Sequence, residues 1–228
     1  MGRLKIHWGE ASGAWANDCP DPMLVPLLEA NPFGSFTELS LNRGDTWQPY
    51  QRDVLVEALS HTRDVWAQTR SADGQVEAWL TRDRIQNNFN LFVHDEARIR
   101  GVDPEAILRL MHQFAIQLPW FLDASADAMS NLRDFWDAHH LPNLADTFGY
   151  LLKWAHVVAP RSYGEYYTPQ VLLQAPAYRV RELEDQRIEL VTYAHPLDFD
   201  TAEAQARIID VATYLASQFR QQTLVSYS

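Results

Sequence analysis

The chain has 228 residues, with 30 acidic against 19 basic side chains and a formal net charge of −11. Apolar residues make up 46% and aromatics 12%, which excludes a wholly disordered chain. The acid excess argues against direct nucleic-acid binding, because neutralising phosphates needs clustered Lys and Arg.

Leu4, Ile6 and Trp8 alternate with polar neighbours and predict a short half-buried strand. Residues 9–49 read as irregular, punctuated by Pro20, Pro22, Pro26, Pro32 and Pro49, with a short helix near Met23–Ala30 and a strand near Ser35–Leu41. Pro49 suits the first turn of a helix through Leu59, where its missing donor costs nothing. Strands are expected at Asp64–Arg70, Gln75–Thr81 and Ile85–Val93, with Gly74 supplying positive φ in the first turn. Asp103 and Pro104 open a helix whose stripe is Ile107, Leu110, Met111, Phe114 and Leu118. Further helices are expected at Ser125–His139 and Leu144–Val158. A Tyr-rich loop at 161–170 follows, then strands at Tyr178–Leu183 and Arg187–Tyr193. A last helix is capped by Asp200 with Glu203 three residues on.

Residues 75–118 and 178–219 share one order: strand, three-residue polar turn, strand, loop, Asp-capped helix. The expected fold class is therefore α+β: an antiparallel sheet from two pseudo-repeated ββα halves with helices packed on one face. It is expected as a single domain over 1–228. An irregular N-terminal region covers 1–60, the first ββα half 61–120, a helical connection 121–160 and the second ββα half 161–228.

Motifs for common chemistries are missing. The nine glycines are isolated, so neither a dinucleotide fingerprint nor a P-loop can be written. No Gly-x-Ser-x-Gly elbow or His-Glu-x-x-His motif occurs. Cys19 is the sole cysteine, which excludes an internal disulfide and a Cys-based zinc cage and favours a reducing compartment. No apolar h-region or run long enough to span a bilayer is visible, so a cytoplasmic chain without membrane contact is expected. Three polar clusters remain, His94-Asp95-Glu96, Asp137 with His139, His140 and Asp146, and His195 with Asp198 and Asp200. Each has a plainer reading as a solvated loop, a helix end or a cap. No catalytic residue, cofactor or metal is assigned.

Interaction features are stronger. Tyr163, Tyr166 and Tyr167 lie in a loop between Pro160 and Pro169, and Tyr anchors interfaces at low entropic cost. Acid gathers in two stretches, one with Asp134 and Asp137, the other with Glu182, Glu184 and Asp185. Such a field steers a basic partner and speeds association.

The stretches Gly149-Tyr150-Leu151-Leu152, Pro176-Ala177-Tyr178-Arg179-Val180, Ile188-Glu189-Leu190-Val191-Thr192, Phe199-Asp200 and Ala206-Arg207 resemble immunity protein family 52 over roughly residues 145–217. Members accompany polymorphic toxins, including type VI secretion effectors, which commonly carry nuclease domains. The resemblance implies a cytoplasmic antidote that binds a cognate toxin, its basic nuclease domain being the expected partner. It carries over no catalytic residue. Two alternatives stand beside it. One is an enzyme of unrecognised type using His94, Asp95 and Glu96 or His139 and His140. The other is an adaptor that forms a homodimer through the Tyr-rich loop.

Overall fold

The computed structural model describes residues 4–11, 21–61, 65–82, 86–117, 121–127, 153–160 and 168–226. The chain divides into two compact units, Met1–Ala124 and Ser125–Ser228.

In the first unit the elements are β1 (Leu4–Ala11), α1 (Asp21–Glu29), β2 (Glu38–Ser40), β3 (Gln48–Pro49), α2 (Arg52–His61), β4 (Val65–Arg70), β5 (Val76–Arg82), β6 (Gln86–Val93), α3 (Glu96–Arg100) and α4 (Pro104–Gln117). Strand order is β3-β2-β4-β5-β6-β1, and the pairs β1–β6, β2–β3, β2–β4, β4–β5 and β5–β6 are antiparallel. Register explains the core. Trp8 lies opposite Phe89, and Phe89 opposite Leu80. Ile6, Leu91 and Ala78 form the next row, and Leu4, Val93 and Val76 the third. All nine side chains are buried, as period-two alternation demands of a sheet with one core face. Helix α4 packs on β1. Phe114 stacks on Trp8 with ring centroids 4.4 Å apart, and Trp8 Nε1 donates to the Met111 carbonyl at 3.4 Å.

Gly74 takes φ +65° in the β4–β5 turn, and its N–H donates to the Ser71 carbonyl at 2.9 Å. Asp103 Oδ1 accepts from the Glu105 N–H at 3.0 Å at the start of α4. Pro49 departs from expectation. It pairs with Glu38 in the edge strand β3, where its missing N–H breaks no ladder, and α2 begins only at Arg52.

Strand β7 (Phe121–Asp127) runs through the boundary. The second unit adds β8 (Ala155–Val158), α5 (Pro169–Leu173), β9 (Arg179–Glu182), a 3₁₀ turn (Glu184–Gln186), β10 (Ile188–Val191) and α6 (Ala202–Ser226). Here the order is β8-β10-β9, again antiparallel. Helix α6 buries Ile208, Val211, Ala212 and Leu215.

Three expectations are corrected here. Ser125–Asp127 end a strand rather than open a helix. Ala155–Val158 form a strand rather than the end of the helix expected over Leu144–Val158, and all four residues are buried beside β10. A strand covered on both faces reads as a continuous apolar run. Helix α6 is capped by Thr201, whose Oγ1 accepts from the Ala204 N–H at 3.2 Å, not by Asp200. The α+β class stands, with an antiparallel sheet and packed helices, whereas a pseudo-repeat is not shown.

Candidate partner-binding surface

The β9–β10 hairpin carries three of the acidic residues singled out in the sequence. Leu183 N–H donates to the Arg187 carbonyl at 2.7 Å and closes the turn. Asp185 and Gln186 both sit at left-handed φ, 61° and 62°. Glu182, Glu184 and Asp185 are exposed, and the Asp185 carboxylate lies 3.4 Å from an Arg187 guanidinium nitrogen. The hairpin therefore holds these acids in water at the end of a strand pair.

Behind the tip is a group that the sequence reading missed. Glu189 lies opposite Arg181 in the register, and its side chain is 0% exposed. Arg181 donates Nε to Oε1 at 2.8 Å and an η nitrogen to Oε2 at 3.1 Å, and Arg179 Nε donates to Oε1 at 3.0 Å. A buried carboxylate persists only when paired and hydrogen-bonded, and two guanidinium groups supply both. The signal was present as Arg-x-Arg and a distant Glu, but only strand register joins them.

Other candidates are placed as follows. Asp95 caps α3, its Oδ1 accepting from Ala97 N–H at 2.9 Å and Arg98 N–H at 3.4 Å. His94 Nε2 lies 3.9 Å from Glu77 Oε1, and Glu96 stands in the first turn of α3. Among the described residues, no group of three or more His, Cys, Asp or Glu side chains is placed to hold a metal ion. His195 Nδ1 accepts from Leu197 N–H at 3.1 Å. Asp198 lines a small cleft with Tyr178, Tyr193, Thr201, Glu203 and Arg207. Burial, then the charges of Asp127, Asp198 and Asp200, push the Tyr193 phenol well above its ordinary range, so it stays protonated. Tyr163, Tyr166, Tyr167, Asp134, Asp137, Cys19, His139, His140 and Asp146 lie outside the described residues.

The first unit has a second surface that the sequence reading missed. Trp66, Trp79 and Phe92 occupy the sheet face opposite the core, and Trp79 and Phe92 sit 4.7 Å apart between centroids. Lys5 lies 5.7 Å from the Phe92 ring, Arg43 lies 4.7 Å from Trp66, and Arg70 lies 3.9 Å from Trp47. The strand alternation places Trp66 out of phase with Val65 and Ala67, which was the available signal.

Fold and surface together define an α+β protein whose described residues present charged and aromatic surfaces. Among solved structures, the fold is similar to that of the Pseudomonas aeruginosa T6SS protein PA0821, with a TM-score of 0.61 and 12% identity. The likeness covers 93% of this chain and 72% of that one. No family model and no curated protein matches the chain. Among the described residues, no helix is long and apolar enough to cross a membrane.

Proposed function

We propose that this chain is an immunity protein that binds and neutralises a cognate antibacterial toxin, a nuclease effector of a type VI secretion system. The observation that carries this reading is the fold likeness to a T6SS protein over 93% of the chain. The resemblance of residues 145–217 to immunity protein family 52 points the same way. The protein acts in the cytoplasm and by binding, not by catalysis. A nuclease domain needs a basic groove for its phosphates, and exposed acid at Glu182, Glu184 and Asp185 complements such a groove. Asp134, Asp137, Tyr163, Tyr166 and Tyr167 are the further contact residues of this proposal.

Co-expression with the toxin encoded beside it is the test. The expected outcome is restored growth of toxin-producing cells and a stable complex of the two purified proteins. No rescue, together with no complex at micromolar concentration, overturns the reading.

A further inference from the structure

The sheet of the first unit turns one face to the core, where Phe114 stacks on Trp8. Its other face is built from the alternate residues of the same strands. The register sets Trp66 opposite Thr81, Trp79 opposite Asn90 and Phe92 opposite Lys5. Trp66 is 37% exposed although its strand neighbours Val65 and Ala67 are buried. A large indole left in water on a face with two further rings has the composition of an interface centre rather than of a solvated surface.

Charges on this face are unevenly matched. Glu38 pairs with Arg70, and Glu77 accepts from Trp79 Nε1 at 3.1 Å. Lys5 and Arg43 are exposed, and each lies over a ring, Lys5 over Phe92 and Arg43 over Trp66. Among the described residues, neither cation has a carboxylate within ion-pairing distance. Arg43 is also held in place. It sits at φ 62° in a short loop, where the Gly44 N–H donates to Ser40 Oγ and the Thr46 N–H to Asn42 Oδ1, each at 3.0 Å. A guanidinium stacked through its flat face keeps its N–H edge for a carboxylate.

Resting on the immunity reading above, we propose that this aromatic face docks an acidic segment of the toxin. The segment's carboxylates pair with Lys5 and Arg43, and its apolar side chains cover Trp66 and Trp79. Ring contacts order both cations before docking, so little side-chain entropy is lost when the carboxylates arrive. Two unmatched cations on a chain of net charge −11 are too few to hold a nucleic acid, whose phosphates need clustered basic residues. This contact is opposite in sign to that of Glu182, Glu184 and Asp185. A partner must therefore present both charges, which narrows the choice of toxin.

Calorimetric titration of the full chain with the toxin tests this through charge reversal at the two exposed cations. Lys5→Glu and Arg43→Glu each raise Kd by about tenfold or more, and Lys5→Arg stays close to native. Trp66→Ala raises Kd to a similar extent. A toxin drawn only by its overall basic charge gives the opposite sign, because each reversal then tightens the complex. A Kd that falls or stays unchanged in either reversal overturns this inference and leaves the immunity reading standing. Self-association of the isolated chain that Trp66→Ala abolishes assigns the face to a second copy, and likewise overturns it. So does binding of a single-stranded oligonucleotide that Lys5→Glu abolishes. Absence of any complex between the native chain and the toxin overturns both.

Discussion

Arg181 holds Glu189 through two parallel contacts, 2.8 Å and 3.1 Å, around a carboxylate that water does not reach. Removing Arg181 takes away the guanidinium that grips both oxygens of that carboxylate. We expect Arg181→Ala to destabilise the protein by about 3 kcal/mol, the lower end for a broken buried pair because the guanidinium is 44% exposed. The denaturant midpoint falls with an unchanged m-value, and Arg181→Lys recovers only part, since an ammonium cannot bridge both oxygens. Glu182→Gln, on the exposed face, shifts stability by no more than about 0.5 kcal/mol. Equal effects for Arg181→Ala and Glu182→Gln would contradict the clamp.

Capping of α6 separates the structure from the sequence pattern. Thr201→Ala removes the acceptor for the Ala204 N–H and costs about 1 kcal/mol. Asp200→Ala leaves that bond in place and costs less. Thermal melts of the two variants decide between Thr201 and Asp200.

Acid loosens the β4–β5 hairpin through Asp73. Its carboxyl is lowered from 3.8 to about 2, first by the Ser71 hydroxyl at 2.6 Å, then by the Gln75 N–H and the Arg98 guanidinium. The folded value lies below the unfolded one, so this contribution is complete above about pH 4 and is lost as pH falls through about 2. The gap in urea midpoint between the native chain and Asp73→Asn should therefore narrow between those pH values. A gap that stays constant over that window would contradict the assignment.

Salt should slow toxin association under the immunity reading. The Debye length shrinks from about 10 Å at 0.1 M to about 3 Å at 1 M, which screens the exposed acid of the hairpin. Stopped-flow association rates fall as salt rises, and dissociation changes less. A rate independent of salt would reduce the acid to a solubilising surface.

Much of the first unit was legible because its strands alternate cleanly. Leu4, Ile6 and Trp8, and Phe89, Leu91 and Val93, fall in phase in the sequence and are buried together in the fold. Asp103 with Pro104 likewise marked α4, since cap and proline agree. Reading failed where two local signals compete. Asp200 and Thr201 are both good caps, and only backbone geometry selects Thr201. Ala155–Val158 lacks alternation because both of its faces are covered, so its apolar residues fit a helix equally well. The acidic residues of the hairpin were visible as composition. The Arg179–Glu189–Arg181 clamp was not, because its members meet only across the register of β9 and β10.

Asp185 and Gln186 make the tip of that hairpin an unfavourable place to begin folding. A left-handed residue other than glycine costs about 1 kcal/mol, and here two stand in succession. The strain at the tip is offset from the stems, where the buried carboxylate and the pairing of β10 with both β8 and β9 hold the strands together.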